Sequence, residues 1–182
     1  MTDLVPDTDM NQLVSVMGTD ETAALQRLDT LAGDYPRDAR LPFLKGSMLV
    51  GQGRTIEGHN ALSQAVQMAP EFAIARFQLG FLELTSGEPD RAMQSWQPLK
   101  GQLPDGHYLR LFVEGLEALA RDDFDTIETQ LLAGIAANTE NEPLNDDMRL
   151  ILSKIEPLKV RTPQADTEVS ATSFLLGQTT RH

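Results

Sequence analysis

Cysteine is absent from this chain, which removes disulfides, thiol nucleophiles and thiolate metal sites and leaves the redox compartment open. Aromatic residues make up 5% of the 182 positions against 41% hydrophobic overall, so any core is built mainly from aliphatic side chains. Basic residues are scarce: 15 Lys and Arg face 27 Asp and Glu, a formal charge of -12 that repels phosphate backbones and anionic bilayers. Neither nucleic acid nor a membrane is therefore expected as a partner. No apolar run approaches the roughly 18 residues that span a bilayer, and the opening MTDLVPDTDM is acidic where a secretory signal would be basic. A cytoplasmic location is the expectation. Residues 1–38 hold eight acids and two bases, read first as a solvated acidic edge and second as an attraction for a basic partner.

Catalytic and metal-binding patterns are also missing. His59, His107 and His182 have no spacing that would bring two of them to one metal. In DGHY, residues 105–108, an Asp and a His sit where a turn leads into a helix, which accounts for them better than an acid-base pair does. GQG at 51–53 lacks the preceding strand and following Lys of a phosphate loop. DDFD at 122–125 lacks the longer ligand loop of a calcium site and reads as acids at a helix start. No enzymatic activity, cofactor or metal is expected.

What the chain does have is a period. Gly46, Gly80 and Gly115 recur at about 34 residues, as do Pro36, Pro70 and Pro104, and Leu28, Leu62, Trp96 and Leu131. Four residues before each member of the last series stands Ala24, Gly58, Ala92 or Ile127. Glycine on a first helix and a small residue on a second let two helices approach closely, and the large residue fills the space between them. Proline then ends the second helix. Turn signals separate the two helices of each unit: Gly51-Gln52-Gly53, Ser86-Gly87-Glu88-Pro89 and Arg121-Asp122-Asp123. Pro89 suits a first helical turn, where its missing N–H costs nothing.

At these residues the chain resembles the tetratricopeptide repeat family, over about three quarters of its length. The units fall at 39–72, 73–106 and 108–141, with a degenerate one at 5–38 carried by Ala24, Leu28 and Pro36. The family's Trp is replaced by Pro42, Arg76 and Leu111. Its Leu before Gly becomes Lys45 and Glu114, and its Tyr becomes Leu49, Glu83 and Ala118. The resemblance implies an all-α, right-handed superhelical solenoid of helix pairs. One helical domain is expected over 1–158, closed by an amphipathic capping helix at 142–158 with Leu144, Met148, Ile151, Leu152 and Ile155 on its apolar face. Residues 159–182 are expected to form a flexible polar tail that carries an apolar cluster, Phe174-Leu175-Leu176.

The first helix of the second unit has two apolar stripes about half a turn apart, one with Ile74, Phe77, Phe81 and Leu84 and the other with Ala75, Leu79 and Leu82. Phe43 and Phe112 share the repeat column of Phe77. The resemblance would turn these first helices to a concave surface. The groove there would be lined by Phe43, Ser47 and Val50, then Phe77, Phe81 and Leu84, then Leu109, Phe112, Leu116 and Leu119. Arg40 and Arg76 are expected to meet the backbone of a bound peptide. The competing reading is that the rings pack between adjacent helices and only hold the stack together. Trp96, Leu28, Leu62 and Leu131 are assigned to the core.

Ser47, Phe81 and Leu116 stand where family members that grip acidic carboxyl termini carry Asn, so a carboxylate clamp is not expected. Size, charge and groove character are more similar to the class II chaperones of type III secretion. The expected function is a protein-protein interaction module, an adaptor or chaperone, binding an apolar peptide or amphipathic helix. The rival is a self-associating scaffold, a closed monomer or homo-oligomer, whose C-terminal tail fills its own or a neighbour's groove.

Overall fold

A computed structural model of the chain describes residues 4–159. The described residues are helical, with no strand among them. They divide at Leu82/Glu83 into two compact units. The apolar cluster at 174–176 and the tail from residue 160 lie outside the described residues.

The first unit contains α1 (Asp7–Met17), α2 (Glu21–Asp34), α3 (Arg40–Gly51), α4 (Thr55–Met68) and most of α5 (Ala73–Thr85), within which the division falls. Asp20 caps α2 by accepting the Ala23 N–H at 3.0 Å. The α3–α4 pair is held at close range by two glycines. A Cβ on Gly46 would lie 2.8 Å from Leu62 Cγ and 3.1 Å from the Gly58 carbonyl oxygen, and one on Gly58 would lie 2.6 Å from Val50 Cγ2. The turn between these helices uses Gly53 at φ 73°, a left-handed conformation that costs glycine nothing. Leu13, Leu28 and Leu41 form one apolar cluster, and Leu62, Leu79 and Leu82 form a second.

The second unit contains α6 (Pro89–Trp96), α7 (Leu99–Gln102), α8 (Tyr108–Leu119), α9 (Phe124–Ala137) and α10 (Glu142–Lys159). Pro89 opens α6 at its first turn, as its missing N–H favours. Trp96 ends α6, and a separate short turn of helix follows Pro98, so the second helix of this repeat is broken before Pro104. Pro98 has no N–H to continue the ladder. Gly115 repeats the role of Gly46, with Leu131 Cδ2 2.8 Å from where its Cβ would be. Asp123 caps α9 by accepting the Thr126 N–H at 3.2 Å and hydroxyl at 2.6 Å, so DDFD is a helix start. His107 caps α8 by accepting the Leu109 N–H through Nδ1, and Asp105 pairs with Arg110, which accounts for DGHY.

Leu28, Leu62, Trp96 and Leu131 are buried, together with Ala24, Gly58, Ala92 and Ile127. These columns are therefore core positions, as expected of Leu28, Leu62, Trp96 and Leu131. In α10, Leu144, Met148, Ile151 and Ile155 are buried and Leu152 is half-buried. The helix includes Pro157 and extends through Lys159, one residue beyond the expected end. Lys159 reaches Glu128 of α9 at 2.5 Å. At the α9–α10 junction, buried Asn138 donates to the Asn141 carbonyl at 2.7 Å and to Asn145 Oδ1 at 2.9 Å, while its own oxygen accepts the N–H groups of Glu140 and Asn141. This connection satisfies its polar groups internally.

Candidate functional site

Helical geometry sets two opposite faces on α3. Phe43, Ser47 and Val50 recur on one, while Leu41, Pro42, Lys45 and Leu49 lie about half a turn away. The first face is covered. Phe43 packs half-buried against the cluster of Leu62, Leu79 and Leu82, and its ring meets Phe72 at a centroid distance of 5.0 Å. Ser47 donates to the Phe43 carbonyl at 3.0 Å and lies 2.5 Å from Gln78 Oε1 of α5, while Val50 packs onto Gly58. These three residues hold α3 to α4 and α5, as the packing alternative requires.

The other expected groove residues are largely enclosed as well. Phe77 and Leu84 are buried, and Phe81 is half-buried with its ring stacked on Phe77 at 6.1 Å. In the second unit Leu109, Phe112, Leu116 and Leu119 are all buried. The Phe112 ring lies so close to Gly134 of α9 that a Cβ there would be 2.4 Å from it. Both stripes of α5 are covered, Ala75, Leu79 and Leu82 being buried too. A continuous open band of Phe and Leu is thus not available at these side chains.

Arg40 and Arg76 do bind backbone carbonyls, but those of their own chain. Arg76 donates to the Pro70 carbonyl through Nε and Nη2 at 3.3 and 3.0 Å. Arg40 donates to the Val5 carbonyl at 3.0 Å and to Asp38 at 2.6 Å. Asp38 in turn accepts the Val5 N–H at 2.9 Å, so one ion pair reads both polar groups of a single residue and ties the N-terminal segment to α3. Burial pushes the Asp38 carboxyl up, yet the hydrogen bonds from Arg40 and Val5 and the Arg40 charge outweigh it and leave its pKa below the usual aspartate value.

An open space also borders the second face of α3, although Leu41, Pro42 and Leu49 on that face are buried and Phe43, Ser47 and Val50 on the first are half-buried. A cleft of about 400 Å³ opens between α2, α3 and α4. Leu41, Pro42, Leu49 and Ala61 border it but are buried, and the apolar lining residues that keep surface are exposed Ala32 and Pro36 and half-buried Tyr35 and Met68. Its polar lining includes Asp29, Lys45 and Glu57. Lys45 pairs with Asp29 at 2.5 Å, and Glu57 with Arg54 at 2.6 Å. Asn60 and Gln64, one turn apart on α4, also line the cleft and make no side-chain hydrogen bond to another described residue. Pro42, Lys45 and Leu49 are the three positions at which α3 departs from the pattern it resembles, each shorter or more polar than the Trp, Leu and Tyr of that pattern. Those departures were the signal in the sequence that could have located the cleft.

Among the described residues, no group of three or more His, Asp or Glu is placed to hold a metal ion, and no helix is long and apolar enough to cross a membrane. No protein-family model, curated protein or solved structure matches this chain.

Proposed function

We propose that this chain is a helical-repeat binding module, an adaptor or chaperone-like protein of the cytoplasm, that receives an apolar segment of another protein. In this reading its helix pairs, in phase at Gly46 and Gly115 and at Leu62 and Leu131, stack as a tetratricopeptide-like solenoid capped by α10. The observation that carries the reading is the cleft between α2, α3 and α4. It has the size of a small ligand site, roughly 300 to 1,000 Å³, apolar side chains that keep some exposed surface at Tyr35, Pro36 and Met68, and two amides that can each donate and accept for a peptide backbone. Burial of the ligand's apolar side chain drives binding, and the amides fix its orientation. This reading puts recognition at the cleft and not at the expected groove residues.

Selection of a random dodecapeptide library on the purified chain tests this. Peptides should be retained, and their synthetic versions should lose binding to Ala32→Trp, which fills the cleft from an exposed position without touching the core. A library from which nothing is retained would end the proposal.

A further inference from the structure

Beside the cleft the structure already holds a stretch of polypeptide seated in a site. Val5 lies outside any helix, and both of its backbone polar groups are read by side chains: Asp38 Oδ2 accepts the N–H at 2.9 Å, and Arg40 Nη2 donates to the carbonyl at 3.0 Å. The pair is braced independently of the segment, since Arg40 Nε and the Arg40 backbone N–H donate to Asp38 Oδ1 at 2.9 and 3.1 Å. Asp38 is almost wholly buried. The Val5 side chain, 3% exposed, enters the cluster of Leu13, Leu28, Leu31 and Leu41. Its neighbours stay outside, Leu4 at 53% exposure and Pro6 exposed as well. One residue therefore anchors the segment, and a terminal segment with one anchor opens at low free-energy cost. Asp38 and Leu41 also line the cleft between α2, α3 and α4, so the seat of Val5 adjoins it.

We propose that residues 4–6 are an autoinhibitory strap in which Val5 holds the place of one residue of an incoming polypeptide, a branched apolar residue whose N–H goes to Asp38 and whose carbonyl goes to Arg40. The incoming segment displaces Val5 and runs on into the cleft. Every residue except proline carries the backbone groups that this pair reads, so selectivity comes from the side chain: the leucine cluster accepts a branched aliphatic group and rejects a charged one. A strap tethered this closely competes at an effective concentration on the order of millimolar, which lowers the apparent affinity of any segment in solution. The inference rests on the module reading for the source of the incoming segment, whereas the exchange at Val5 does not need it.

The full chain carrying Val5→Asp tests the exchange. Its new carboxylate, facing buried Asp38, ejects the strap, and circular dichroism checks that the helices remain. A fluorescein-labelled peptide with the sequence of residues 2–8, its valine kept, should bind this variant roughly tenfold or more tightly than it binds the wild type, read by fluorescence anisotropy. The same peptide with N-methylvaline, which keeps the side chain and lacks the N–H, should bind about tenfold more weakly than the unmethylated one. If Val5→Asp impairs folding, Val5→Gly takes its place, since it empties the seat and adds no charge. A folded variant that takes the peptide no better than the wild type, or takes the N-methyl form equally well, would overturn the strap. Library selection judges the module reading separately: peptides retained there beside a failed exchange would overturn the strap alone, and a successful exchange beside an empty selection would overturn the module reading alone.

Discussion

The α3–α4 and α8–α9 pairs are built on one plan and differ in where the small residue falls. Gly46 and Gly115 play the same part, each pressed against a leucine of the second helix. Three residues after that leucine, however, the first pair has Ala65 and the second has Gly134. Gly134 leaves the room that the Phe112 ring occupies, and the ring is fully buried. Ala65 is itself buried, and the equivalent ring, Phe43, stays half-buried beside Phe72. Two phenylalanines in the same repeat column thus differ in burial, and the facing helix carries Ala65 in one pair and Gly134 in the other. The first pair also keeps an open cleft on its other face, where Pro42, Lys45 and Leu49 stand.

The sharpest way to break this comparison is to delete the rings. Phe112→Ala should cost about 4 kcal/mol in urea unfolding, the range for a fully enclosed aromatic, and Phe43→Ala about half as much. Equal losses would mean that the facing residue does not decide burial. Next, Gly134→Ala should destabilise by about 2 kcal/mol, because overpacking against the ring exceeds the helix-propensity gain of alanine. A stabilised variant would show that Phe112 has somewhere else to go.

Asp38→Asn should cost a similar amount, about 2 kcal/mol, by weakening charged hydrogen bonds to Arg40 and Val5, and limited proteolysis should then cut earlier near residues 4–6. The same latch has a pH signature. The folded Asp38 pKa lies below its ordinary value of about 3.9, so its contribution is present above that pH and is lost as pH falls through the lowered folded value. Acid should therefore release the N-terminal segment in the wild type, and the Asn variant should lack that part of the transition. The smallest effect belongs to helix starts. Asp123 caps α9 while α4 starts after Arg54 with no side-chain cap, so Asp123→Ala should speed amide exchange at Thr126 and leave α4 unchanged.

Much of the pair architecture was legible because it follows from local chemistry. Pro89 at a helix start, the turns at 51–53 and 121–123, and the closeness of Gly46 to Leu62 each depend on a few residues and a fixed helical angle. The candidate site was less legible. The periodicity of Phe43, Phe77 and Phe112 located a stripe correctly, but an apolar stripe looks the same whether a helix or a ligand covers it. Arg40 and Arg76 were expected to meet the backbone of a bound peptide, whereas in the structure they donate to the Val5 and Pro70 carbonyls of their own chain.

By itself the sequence determined that the described chain is helical, that glycine lets α3 approach α4 and α8 approach α9, and that Leu28, Leu62, Trp96 and Leu131 are core, since these follow from spacing and side-chain volume. Only the tertiary structure decided that Phe43, Ser47 and Val50 pack toward α4 and α5, that Phe112 sinks onto Gly134 while Phe43 stays half-buried, and that the arginines bind their own chain. Such outcomes depend on contacts between residues far apart in the chain, in close-packed interiors where small differences in side-chain volume are felt.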